Sequence, residues 1–118
     1  KLILVDFDRL HTHNISRHVC GIKDVGRFKT HAVRDAILQH SPNAKVECWE
    51  VDITGDADVL EQLIVGSDLV FVATDNELSK YLVNDACVSK GVPAVYGGVY
   101  ERAFAGEAIR VIPGLTGC

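Results

Sequence analysis

The chain has 118 residues, 47% of them hydrophobic, and its 12 Lys and Arg against 16 Asp and Glu give a net charge of -4. That is enough for one buried core and a single domain, and an acidic balance with no dense Lys/Arg block argues against nucleic acid as the main partner. Every apolar run falls short of the roughly 18 to 20 residues a membrane span needs, so no membrane is expected and the protein is read as cytoplasmic.

Leu2, Ile3, Leu4 and Val5 are apolar on consecutive positions, the pattern of a central strand covered on both faces of a parallel sheet. Asp6-Phe7-Asp8 closes it. An acid at the carboxyl end of a buried strand is where α/β proteins hold a nucleotide ribose. Asn14, Arg17 and Lys29 add phosphate-seeking side chains soon after, and the combination points to ATP chemistry. Lys1 enters the strand with no Gly-rich turn before it, and the chain has no Met, so it is read as an excerpt lacking the first strand and phosphate loop of a larger protein.

Residues 9–28 lack a sustained period and read as a long functional loop with one helical turn near Asn14 to His18. From Lys29 to about His40 the stripe Ala32, Val33, Ala36 and Ile37 predicts a helix, stopped by Ser41-Pro42-Asn43. Val46, Cys48 and Val51, with Trp49 between, predict a strand ending at Asp52. Asp56 caps a short helix carrying Leu60, Leu63 and Ile64, which Gly66 ends. Leu69 to Ala73 is a further apolar strand running into Thr74-Asp75-Asn76, a second polar cluster at a strand tip. Leu78, Tyr81, Leu82 and Ala86 form the next helical stripe, with Gly91 as its stop. Pro93 to Tyr96 supply a strand broken by Gly97-Gly98, and Val99 to Ile112 predict an antiparallel hairpin turning near Gly106. The alternation of strand and helix is that of a Rossmann-like, mostly parallel α/β sheet with helices on both faces and an antiparallel hairpin at its C-terminal edge.

Cys20, Cys48, Cys87 and Cys118 form no CxxC pair, which favours reduced thiols, with Cys48 and Cys87 as small core fillers. His11, His13, His18 and Cys20 fall within ten positions and offer borderline metal ligands. The plainer reading, histidines in a loop that donate to phosphate, outweighs a metal there.

Asp6-Phe7-Asp8, Asn14-Ile15-Ser16-Arg17, Gly26-Arg27-Phe28-Lys29 and Ala73-Thr74-Asp75-Asn76 together resemble the ThiF/MoeB/HesA family of adenylyltransferases, which includes the catalytic domain of ubiquitin-activating enzymes. The resemblance spans nearly the whole chain and implies one partial adenylation domain over residues 1–118. It implies ATP and Mg2+ as cofactors, and adenylation of the C-terminal glycine of a small ubiquitin-like or sulfur-carrier protein. By position it makes Asp6 the ribose ligand and Arg17 and Lys29 the cations on the triphosphate. Asp8 either meets the nucleotide or orients the loop; Asn14 holds a phosphate or the loop, or is an ordinary turn residue. Asp75 resembles the Mg2+ acid, with helix capping as its alternative and Asn76 able to cap instead. The family often binds Zn2+ through CxxC pairs, and Cys118 stands as a candidate first cysteine of one. Its members usually work as homo- or heterodimers. Where many relatives carry Gln, this chain has His18. Two other classes compete: an NAD-binding oxidoreductase half, which has little need of Arg17 and Lys29, and a non-catalytic module that docks a ubiquitin-like protein.

Overall fold

A computed structural model describes residues 1–100, 102 and 104–116. The chain divides into two compact units, Lys1–Asp52 and Ile53–Cys118.

In the first unit, strand β1 (Leu2–Val5) pairs in parallel with β2 (Val46–Trp49), in the register Leu2 to Val46 through Val5 to Trp49. Helix α1 (Lys29–His40) makes the crossover between them and stops at Ser41, as the sequence predicts. β2 ends earlier than expected, at Trp49 and not at Asp52. β1 is not the doubly covered central strand predicted. Among the described residues β2 is its one partner, and Leu2 and Val5 are exposed, so consecutive apolar residues here do not mean burial on both faces.

The segment between β1 and α1 is more ordered than a periodicity reading suggests. It holds two 3-10 turns, Thr12–Arg17 and Ile22–Asp24, and closes over its own small core of Leu10, Cys20 and Ala32, with Ile15 and Val33 packed alongside. Leu10 is 0% exposed. An isolated antiparallel bridge between Arg9 and Phe28 pinches the base of this loop. The Leu10 amide donates to Arg27 O at 2.8 Å and the Gly26 amide donates back to Leu10 O at 2.8 Å. Gly26 has a φ of +87°, which a side-chain-bearing residue adopts only with strain.

In the second unit, α2 (Ala57–Ile64) is capped by Asp56, whose side chain accepts from the Val59 amide at 3.0 Å. β3 (Val70–Val72) pairs in parallel with β4 (Ala94–Val99), and β4 pairs antiparallel with β5 (Gly106–Val111). Gly97-Gly98 do not break β4. Their backbone is held by β5, Gly97 against Ala108 and Gly98 against Glu107. A Cβ on Gly98 would lie 3.0 Å from Glu107 Oε1, so glycine here clears room for the Glu107 side chain, which accepts from Tyr100 Oη at 3.0 Å. The hairpin is therefore β4 to β5, with its turn near Gly106 as expected and its second strand starting at that residue.

α3 (Glu77–Lys90) ends at Gly91 with φ +71°, as expected. Its buried face is Ser79, Val83, Ala86 and Cys87; of the predicted stripe Ala86 is buried and Leu82 packs against the core, whereas Leu78 and Tyr81 are exposed. That face joins Leu60, Ile64, Val72, Val92 and Ala94 in the core of this unit. Cys87 is the small core filler expected, whereas Cys48 is part-exposed and belongs to neither apolar cluster. Cys118 lies outside the described residues. Among those described, no helix is long and apolar enough to cross a membrane.

Candidate functional site

The first unit places its polar groups at the carboxyl end of β1. The Asp6 amide continues the ladder to Trp49 O at 3.1 Å, and its own carboxylate then turns the chain, Oδ1 accepting from the Asp8 amide at 2.8 Å. This local bond is what Asp does at a strand end: it satisfies backbone that has left the sheet. The Lys29 amide donates to Asp8 O at 3.0 Å, so the loop neck returns α1 to the strand tip.

Lys29 Nζ consequently stands 2.7 Å from Asp8 Oδ2 and 3.7 Å from Asp6 Oδ2. Burial pulls the ammonium's pKa down, but the hydrogen bond to Asp8 and the charges of Asp6 and Asp8 outweigh it, and the pKa rises above the usual lysine value. A cleft of about 180 Å³ opens beside this group, lined by Leu4, Val5, Asp6, His18, Lys29, Thr30 and Val33.

His18, which the sequence reading counts among the loop histidines able to donate to phosphate, lines this cleft. Its Nδ1 accepts from the Cys20 amide at 3.1 Å, which leaves Nε2 as the nitrogen that can donate. A ring held this way offers a hydrogen-bond donor to a ligand. The signal was present as the departure from Gln, another donor of similar reach. His11 and His13 instead stack on one another, with centroids 5.4 Å apart and planes 7° from parallel. They form no metal-ligating group with His18 and Cys20 among the described residues.

Asn14 and Arg17 share the 3-10 turn Thr12–Arg17, where residues three apart eclipse, so both sit on one face of it. Asn14 Oδ1 accepts from the His11 amide at 2.9 Å, the turn-forming role that competed with phosphate binding, and its amide nitrogen remains as a donor. Arg17 is exposed and has no hydrogen bond or ion pair among the described residues, an unneutralised cation.

The loop is anchored by charges that the sequence reading passed over. Asp24, 6% exposed, accepts from the Gly21 amide at 3.2 Å and from Arg27 Nη1 at 2.8 Å. Arg27 also bonds Asp35, which Arg34 grips in turn with Nη2 at 2.9 Å. The Arg27 and Arg34 hydrogen bonds hold the Asp35 carboxyl below its usual pKa. Arg9 lies over the Phe28 ring at 3.9 Å and donates to Gly26 O at 2.7 Å. Of the motif Gly26-Arg27-Phe28-Lys29, then, three residues build the neck and one reaches the cleft.

In the second unit the tip of β3 carries Thr74-Asp75-Asn76. Asn76 caps α3, its Oδ1 accepting from the Leu78 amide at 2.9 Å and the Ser79 amide at 3.4 Å. Thr74 Oγ1 meets Ser79 Oγ at 2.7 Å. The capping alternative for Asp75 thereby falls to its neighbour. The Asp75 carboxylate is exposed and unpartnered among the described residues, and its hard oxygens suit Mg2+.

The sequence is 38% identical over 108 residues to the probable adenylyltransferase/sulfurtransferase MoeZ of Mycobacterium tuberculosis, covering 89% of this chain and 26% of that protein. It is 32% identical over 114 residues to the SAMP-activating enzyme E1 of Haloferax volcanii, covering 96% of this chain and 41% of the relative. The chain thus spans a quarter to two-fifths of the length of these curated relatives. Its fold is similar to that of the crystal structure of E. coli MccB with ATP, with a TM-score of 0.84 and 28% identity over 98% of this chain and 35% of that one. That agreement bears out the Rossmann-like α/β class read from the sequence. The ThiF family model matches residues 1–118, and the chain belongs to the ThiF family.

Proposed function

We propose that this chain is the nucleotide-binding part of an adenylyltransferase that uses ATP to activate the C-terminal carboxylate of a ubiquitin-like or sulfur-carrier protein. The observation carrying this is the cleft at the β1 tip, which brings the acid Asp6 and the cation Lys29 to one small pocket. Relatives named as adenylyltransferases and as an activating enzyme E1 support it.

In this reading Asp6 binds the ribose. One of its oxygens already serves the Asp8 amide, yet a carboxylate offers about four acceptor sites, enough for two vicinal hydroxyls as well. Lys29 neutralises a phosphate as a point charge, and Asp8 holds it at the cleft until a stronger anion takes its place. Arg17, planar and unpaired among the described residues, grips phosphate oxygens with its fork, and the Asn14 amide donates beside it. The carrier's carboxylate oxygen attacks the α-phosphorus, the bond to the bridging oxygen breaks, and pyrophosphate leaves with its electron pair. Fixed cations lower the barrier where that charge accumulates. By family resemblance Asp75 would be the residue that holds Mg2+, whose chemistry would be to offset charge on phosphate oxygens. Zn2+ at Cys118, a dimeric assembly and a cytoplasmic setting complete the proposal by family resemblance.

The test is carrier-dependent exchange of pyrophosphate into ATP by the full-length protein. Arg17→Ala and Asp75→Ala are each expected to abolish it. Exchange at the parental rate in both variants overturns the reading, and stabilisation by NAD in place of ATP would favour an oxidoreductase.

A further inference from the structure

The first unit contains a second cluster of chemically active side chains, one that the nucleotide reading does not use. His31 Nε2 stands 2.8 Å from Glu50 Oε1. The Cys48 thiol completes the group, with one donor atom from each of the three residues within 4.8 Å of the others. His31 comes from the first turn of α1 and Cys48 from β2. Glu50 follows two residues after Cys48, and the period-two alternation of extended chain puts both on the same face.

An ion pair explains only part of this. A His–Glu contact with side chains 40% and 29% exposed contributes little by itself, and it gives the thiol no place. The carboxylate is also held from a second side. Thr30, 2% exposed, donates its hydroxyl to Glu50 Oε1 at 2.9 Å. Oriented ligands whose free lone pairs are hydrogen-bonded are characteristic of metal centres.

We infer that His31, Cys48 and Glu50 form a three-ligand site for a borderline divalent d-block cation of the Zn2+ type. The donor set decides the class: an imidazole nitrogen and a sulfur select against Mg2+ and Ca2+, which take oxygen. With His31 neutral, a thiolate and a carboxylate balance a dication. Zinc bonds of about 2.0 to 2.3 Å place tetrahedral ligand atoms roughly 3.2 to 3.7 Å apart, and the three donor atoms here already lie within 4.8 Å of one another. Three protein ligands leave a fourth position for water or an incoming group. Arg34 and Asp35 are the other charges acting on the thiol, and they oppose one another. The consequence is mechanical, because metal binding pins the first turn of α1, and with it Lys29, to β2.

The test is titration of the full-length, reduced protein with Co2+, reading the thiolate-to-cobalt absorption as the difference between parent and Cys48→Ser. The parent is expected to gain one equivalent of this absorption, displaceable by Zn2+, that Cys48→Ser lacks. His31→Asn, which retains the thiol and guards against a folding defect in Cys48→Ser, is expected to weaken binding about tenfold or more. Circular dichroism checks that each variant is folded. Identical spectra in parent and Cys48→Ser, or no thiolate absorption at saturating Co2+, overturn the proposal. Neither result bears on pyrophosphate exchange.

Discussion

Two strand tips carry the candidate site residues, and they spend their polar groups in opposite ways. At the β1 tip nearly every charge is already engaged: Asp6 turns the chain, Asp8 holds Lys29, and the loop beyond is tied by Asp24, Arg27 and Asp35. At the β3 tip the neutral residues Thr74 and Asn76 do the structural work and the acid Asp75 is left without a partner among the described residues. A residue at the first tip therefore serves fold and function together, whereas at the second the two are divided between neighbours. Substitutions separate them.

The largest effect is expected in the loop core. Leu10 is fully buried, and Leu10→Ala removes its packing against Cys20 and Ala32, leaving a cavity that costs about 2 to 5 kcal/mol. Chemical denaturation of the full-length protein, followed by a probe in this unit, measures it. Because the loop neck positions Asp8 and Lys29, nucleotide-dependent stabilisation should fall with it. A loss of stability below about 0.5 kcal/mol would mean that the loop does not depend on its core.

That core was not legible in the sequence for a physical reason. Leu10, Cys20 and Ala32 are far apart in the chain and follow no helical or strand period, so only the closing of residues 9–28 on itself makes them neighbours. α1, the Asp56 and Asn76 caps and the Gly91 stop were legible, because each depends on residues within one turn. The same distinction divides the site. Asp6 and Lys29 were named from motif order and do share a cleft, while His18 could not be told from His11 and His13 because its place in that cleft depends on the loop's 3-10 turn. The errors at β1, at Gly97-Gly98 and at Leu78 and Tyr81 of α3 are all of one kind, since strand edges, pairing partners and the rotation of a helix face are settled by tertiary neighbours.

The next effect is electrostatic. Asp24→Ala removes a buried acceptor of two hydrogen bonds and is expected to cost about 1 to 3 kcal/mol. Asp35 adds a pH dependence to the same anchor. Its pKa is held down by Arg27 and Arg34, so the stability it contributes is present above the unfolded value of about 3.9 and is lost as pH falls through the lower folded value. Asp35→Asn should accordingly lie below the parent in stability at neutral pH and approach it in acid. Parallel stability curves from pH 7 to pH 2 would remove Asp35 from the anchor.

The smallest effect on stability falls on the residue with the largest proposed effect on activity. Asn76→Ala strips two amides of their acceptor at the start of α3 and should cost about 1 kcal/mol, the usual loss for a helix cap. Asp75→Asn, one position earlier, breaks no contact among the described residues and should stay within about 0.5 kcal/mol of the parent. If Asp75 is the Mg2+ ligand, that near-silent change abolishes pyrophosphate exchange, because an amide oxygen is a poorer partner for a hard cation than a carboxylate. Exchange restored by raising Mg2+ would assign the defect to metal affinity. A destabilisation equal to that of Asn76→Ala would instead make Asp75 a second cap, and the division of labour at the β3 tip would disappear.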